Sequence, residues 1–134
     1  MGYQLKQIDT GLVGVRQQAA LVATFADSGV AVAFDAAFPP GTILHDVRTE
    51  VLEAFNAGST NVLIAGHASN DDAYQDAGDI TEATPALYTD NVSANLGVRL
   101  SAATTAQVLY TGSGTAPTTG KSVTYFDFTI MPSP

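Results

Sequence analysis

Carboxylates are the most concentrated chemistry in this chain. Asp71, Asp72, Asp76, Asp79 and Glu82 fall within a dozen residues, and carboxylates at such density attract Ca²⁺, which gathers about six to eight oxygens. Their spacing departs from the Asp-x-Asp-x-Asp-Gly order of a calcium loop. Asp71, Asp72, Asp76 and Asp79 therefore stand as calcium candidates by density alone. A solvated loop in which Asn70, Asp72 and Asp79 cap turns is the expected reading, with no metal and no cofactor.

The remaining reactive side chains form no recognisable constellation. His45 and His67 lack a third ligand at metal-site spacing, although pairing of their segments would bring them to one sheet. Ser113 sits in Gly112-Ser113-Gly114 without the residues of a nucleophile elbow. Gly11-Leu12-Val13-Gly14 lacks the third glycine and the lysine of a phosphate loop. Asn91-Val92-Ser93 is a formal glycosylation sequon, meaningful only in a secreted protein. No catalytic residues are assigned, and the chain is not expected to be an enzyme.

Bulk composition narrows the partners. The 134 residues carry 13 acidic and five basic side chains, a formal charge of −8. Lys6, Arg16, Arg48, Arg99 and Lys121 are scattered, so neither a nucleic-acid backbone nor an anionic membrane is an expected partner. With no cysteine, packing alone must hold the fold. A hydrophobic content of 46% against 13% charged residues suggests apolar surface covered by a partner. No run reaches the roughly 18 apolar residues of a membrane helix, and residues 1–9 lack a signal-peptide core, so a soluble protein made without a cleaved leader is expected.

The longest regular pattern follows Pro39-Pro40-Gly41. Ile43, Val47, Val51 and Phe55 recur every four residues, which suits an amphipathic helix or one face of a strand. The β-branched Val47, Thr49 and Val51 and the turn signals on either side favour the strand. Ile43, Val47, Thr49, Val51 and Phe55 should then face inward and Asp46, Arg48 and Glu50 outward, with residues 61–66 returning as the second arm of a hairpin. A second hairpin is expected from residues 19–25 and 30–34 about Asp27-Ser28-Gly29. A third is expected from residues 105–111 and 121–130 about the Gly/Ser/Thr-rich residues 112–120. In the last strand Thr124, Phe126, Phe128 and Ile130 share one face, and Pro132 and Pro134 end pairing. Residues 3–8, 85–88 and 94–100 are shorter candidates, and residues 68–82 read as a polar loop. The expected fold is all-β, an antiparallel β-sandwich or jelly-roll-like barrel of about eight strands. Residues 1–18 form an N-terminal arm or edge strand, and 19–134 a single sandwich domain.

The run Ala54-Phe55-Asn56-Ala57-Gly58-Ser59-Thr60-Asn61-Val62-Leu63-Ile64-Ala65-Gly66, followed by Asp72-Ala73-Tyr74 and Ala77-Gly78-Asp79, resembles small virion structural proteins of tailed bacteriophages. The closing segment from Tyr110 through Gly120 to the terminal strand fits the same pattern. The resemblance covers about residues 40–130 and not the first 35. It implies a capsid decoration, or cement, protein: a homo-oligomer, commonly a trimer, seated on the major capsid protein at the outer surface of the head. It carries over no catalytic residue. On this reading the chain is made in the host cytoplasm and ends in the virion, and residues 2–18 are an arm docked on a neighbour. The alternatives are a tail or head-tail connector protein and, from another class, a glycan-binding β-sandwich using Tyr74 and Tyr88 beside the acidic loop.

Overall fold

The computed structural model describes residues 4–132. Nine strands run in chain order as β1 (Gln4–Leu5), β2 (Arg16–Thr24), β3 (Val32–Ala33), β4 (Thr42–Glu53), β5 (Thr60–His67), β6 (Asn70–Gln75), β7 (Ala86–Tyr88), β8 (Ala106–Ser113) and β9 (Lys121–Ile130). Single 3-10 turns occupy Phe25–Asp27 and Ser93–Asn95. The strands divide between two sheets, β1-β2-β9-β4-β7 (sheet A) and β3-β8-β5-β6 (sheet B).

This order is that of an eight-stranded jelly roll, β2 to β9, with β1 added in parallel along β2. The pairs β5·β6, β4·β7, β3·β8 and β2·β9 nest about the turn between His67 and Asn70. Between the strands, Ile43 bridges Arg99 and Phe38 bridges Thr104. The chain is thus one long antiparallel ribbon, doubled back at residues 68–69 and rolled so that β9 meets β4 and β8 meets β5. Two sheets packed face to face result, not a closed barrel.

The region from Thr42 to Glu53 is a strand and not a helix, but the expected hairpins are not hairpins. β4 lies in sheet A and β5 in sheet B, and the same split separates β2 from β3 and β8 from β9. Each turn signal marks a crossing between sheets. Among the described residues the one tight hairpin, β5·β6, lies where residues 68–82 read as a loop. Its first three residues, Asn70, Asp71 and Asp72, are exposed at the turn, while Ala73, Tyr74 and Gln75 are buried. Residues 94–100 do not form a strand, since a 3-10 turn occupies their start and Gly97 takes φ +76°. Of the early candidate strand over residues 3–8, only Gln4–Leu5 pairs. Tyr3 lies outside the described residues, as do Gly2 of the arm and Pro134.

Facing in β4 is reset by a bulge. Leu44 opposes Phe128 and Asp46 opposes Asp127, leaving His45 as the extra residue. Thr42 and Leu44 therefore point inward before it and Val47, Thr49 and Val51 after it, whereas Ile43 is only half-buried. A second shift leaves Leu52 as the extra residue. In β9 the alternation holds, with Thr124, Phe126, Phe128 and Ile130 all buried.

The core is aromatic at its centre. Phe34 packs edge-on against Phe126 at 5.1 Å between ring centres and against Phe38 at 5.6 Å, and Phe38 meets Phe128 at 4.8 Å. Burying each ring contributes about 1.5–3 kcal/mol, which compensates for the absence of covalent staples.

Candidate docking surfaces

The acidic cluster does not converge. Asp71 and Asp72 are exposed on β6. Asp76 and Asp79 close their own turn: the Asp76 N–H donates to Asp79 Oδ2 at 2.9 Å and the Gly78 N–H to Asp76 Oδ1 at 3.0 Å. Glu82 is buried and accepts from the Leu63 N–H. Among the described residues no group of three or more His, Cys, Asp or Glu side chains is placed to hold a metal ion.

The other candidates are also dispersed. His45 lies in sheet A, its Nε2 2.8 Å from Thr129 Oγ1, while His67 lies in sheet B. Pairing therefore does not unite them. Ser113 Oγ accepts from the Thr60 N–H at 3.2 Å and its hydroxyl meets that of Thr60, so it ties β8 to β5. The loop holding Gly11 and Gly14 is pinned by Gln17, whose Nε2 donates to the carbonyls of Asp9 and Leu12. Tyr74 is buried against Phe126, and its hydroxyl has no hydrogen-bond partner among the described residues; burial pushes its pKa up to about 12. Tyr88 donates to the Thr84 carbonyl at 2.6 Å.

The residues that carried the resemblance do structural work at one end of the sandwich. Asn56 spans two crossings: its Oδ1 accepts from the N–H groups of Thr118 and Thr119 at 2.8 and 3.0 Å, and its Nδ2 donates to Thr118 Oγ1 at 2.8 Å. Asn61 Oδ1 accepts from the Ala57 N–H at 2.9 Å and from the Tyr110 hydroxyl at 2.7 Å. Gly58 passes so close to Thr115 that a Cβ would lie 2.7 Å from its backbone nitrogen. The β4-to-β5 crossing is thereby locked to the β8-to-β9 crossing.

The two outer faces of the sandwich differ sharply in charge. On sheet A, Asp127 of β9 lies 2.9 Å from Arg48 of β4 and 3.6 Å from Arg16 of β2, and its Oδ1 accepts from Gln18 Nε2 at 3.0 Å. Arg48 also contacts Asp46 at 3.0 Å and lies over the Tyr125 ring, whose hydroxyl donates to Glu50. Desolvation by burial lowers the Arg48 pKa, but Asp127 and Asp46 together outweigh it and leave the group above its ordinary value. On sheet B the inward residues are Leu63 and Ala65 of β5 and Ala106, Val108 and Tyr110 of β8, each at most 1% exposed. Alternation turns the intervening residues outward: Thr60, Val62, Ile64 and Gly66 of β5, Gln107, Leu109, Thr111 and Ser113 of β8, and Ala33 of β3. None of these carries a charge.

The residue types of this neutral face were legible in sequence, though its role was not. Val62-Leu63-Ile64-Ala65 and Val108-Leu109 are continuous rather than alternating apolar runs, the signature of strands with apolar side chains on both faces. β9, by contrast, alternates.

No family model matches the sequence, and no curated protein matches it. Solved structures do match in fold. A chain of the cyanophage Pam1 capsid asymmetric unit aligns over 93% of this chain and 91% of its own length, with a TM-score of 0.67 and 17% identity. A chain of the acidic stable capsid structure of Helicobacter pylori bacteriophage KHP30 aligns over 87% and 89%, with a TM-score of 0.60 and 15% identity. At these identities the likeness shows a shared jelly-roll sandwich spanning nearly the whole of each chain.

Proposed function

We propose that this chain is a bacteriophage capsid decoration protein: a homo-oligomer, of three copies on the resemblance drawn above, that binds the major capsid protein on the outer surface of the assembled head and stabilises it. The observation that carries this reading is the end-to-end fold match to two chains from phage capsid structures. A protein that binds only the assembled lattice stabilises it by mass action, because every bound copy must be released before the shell opens.

The test is co-sedimentation of the purified chain with shells of the source phage stripped of it, followed by heating. Saturable binding at many sites per shell, with a higher temperature of DNA release, is expected. Binding confined to one vertex would instead identify a connector, and no binding to any shell would sink the virion reading. Removing residues 2–18 in the same assay tests the arm: full occupancy without them excludes a docking role for that segment.

A further inference from the structure

We propose that the neutral outer face of sheet B is the surface by which copies of this chain associate, turned toward their symmetry axis with the charged face of sheet A directed away. This deepens the homo-oligomer reading above and rests on it. The occupant follows from charge. Each copy carries −8, and a symmetry axis brings residues near their own equivalents, so a carboxylate at the axis meets a carboxylate. Burying such a pair is costly and opposes encounter.

The outward positions of β3, β8 and β5 avoid that cost. Ile64 and Leu109 are directly opposed across the β5·β8 ladder, with Val62 opposite Thr111 beside them. Val30, 63% exposed, lies just before β3 at one margin of the face. Asp71 and Asp72 of β6 mark the other border at the turn. An association centred on Ile64 and Leu109 keeps those acids peripheral, where water screens them.

Size sets the expected strength. Two strands of eight residues and one of two, spaced about 4.8 Å apart with a rise near 3.3 Å, give a face of roughly 300 Å². A stable interface buries about 800 Å² per partner. Association in free solution should therefore be weak and concentration-dependent, and strengthened when a shell holds the copies together.

Sedimentation equilibrium of the full chain from micromolar to millimolar concentration, at low and high NaCl, tests this. The mass should rise with concentration, and more steeply at high salt, because salt screens repulsion between copies while leaving the apolar contact intact. Thr111→Glu, at an exposed position that disturbs no packing, and Ile64→Glu should each weaken association at least tenfold; Leu87→Glu, 52% exposed on β7 of sheet A, should not. A wild-type chain that stays monomeric throughout, or Thr111→Glu and Ile64→Glu variants that associate like wild type, would overturn the assignment. Shell co-sedimentation of the wild type separates the two claims: binding to shells without self-association removes this face assignment and leaves the decoration reading standing.

Discussion

The Glu82 carboxylate accepts a hydrogen bond from the Leu63 N–H at 2.8 Å, inside the sandwich and on the side of β5 that β6 has already left. A loop side chain thus takes the place of a missing ladder partner. Burial raises the Glu82 pKa above the usual carboxylate range, and the Leu63 N–H only partly offsets the shift.

The sign of the resulting pH dependence follows. The folded chain holds this proton at pH values where the unfolded chain has released it. The contribution of Glu82 is therefore fully present below the ordinary carboxylate range and is lost as pH rises through the elevated value. Glu82→Gln keeps a carbonyl acceptor for Leu63 without a charge, so it should be at least as stable as wild type at neutral pH and flatter in stability across that window. Glu82→Ala should cost about 1–3 kcal/mol by orphaning the N–H. Denaturant melts at stepped pH read all three; parallel wild-type and Glu82→Gln curves would refute the argument.

Gln75 joins the two sheets through a saturated buried chain. Its Oε1 accepts from the Thr49 hydroxyl at 2.6 Å, and its Nε2 donates to the carbonyls of Asp90 at 2.8 Å and Tyr88 at 3.3 Å. Because Thr49 spends its proton on Gln75, Thr124 must be the donor in the 2.7 Å contact between the two threonines. Gln75→Ala should destabilise by about 2–3 kcal/mol through the polar groups it leaves unpaired. A double-mutant cycle with Thr49→Val should return a clear coupling energy, and strict additivity would mean that the chain does not act as a unit.

The period-two pattern of β9, the strand assignment for Thr42–Glu53 and the sandwich class were legible because each follows from residues adjacent in sequence. The hairpins were misread because turn chemistry at Asp27-Ser28-Gly29, Asn56-Ala57-Gly58 and residues 112–120 reports that the chain reverses, not which sheet it enters next. That choice belongs to the rolled ribbon, whose pairs join residues as distant as Arg16 and Thr129. β6 was missed because its exposed half, Asn70-Asp71-Asp72, resembles a loop, and the buried half holds a glutamine whose partners lie in other strands and loops. The bulge at His45 was equally invisible, since the extra residue is defined only against β9.

Gly120 lies against the face of Phe55. A Cβ there would collide with ring atom Cδ2 and lie 2.6 Å from Cγ, and the backbone at φ +141° disfavours any side chain. Gly120→Ala should therefore cost roughly 2–5 kcal/mol, combining overpacking with backbone strain. Phe55→Leu in that background should recover part of the loss, although Phe55→Leu alone destabilises. Equilibrium unfolding of the three variants checks this, and a Gly120→Ala protein as stable as wild type would contradict the contact.

Asp127 sits between Arg48 and Arg16 with its side chain 16% exposed, while Arg16 is 62% exposed. The two pairs should therefore differ in worth. Arg16→Ala should change stability by about 0–1 kcal/mol, as exposed pairs do, with the effect screened by salt. Arg48→Ala removes the half-buried partner, its stacking on Tyr125 and its link to Asp46, so it should cost more and lose less of its effect in 0.5 M salt. Thermal melts at two ionic strengths distinguish the cases, and equal, fully screened losses for both variants would mean that the network is only surface electrostatics.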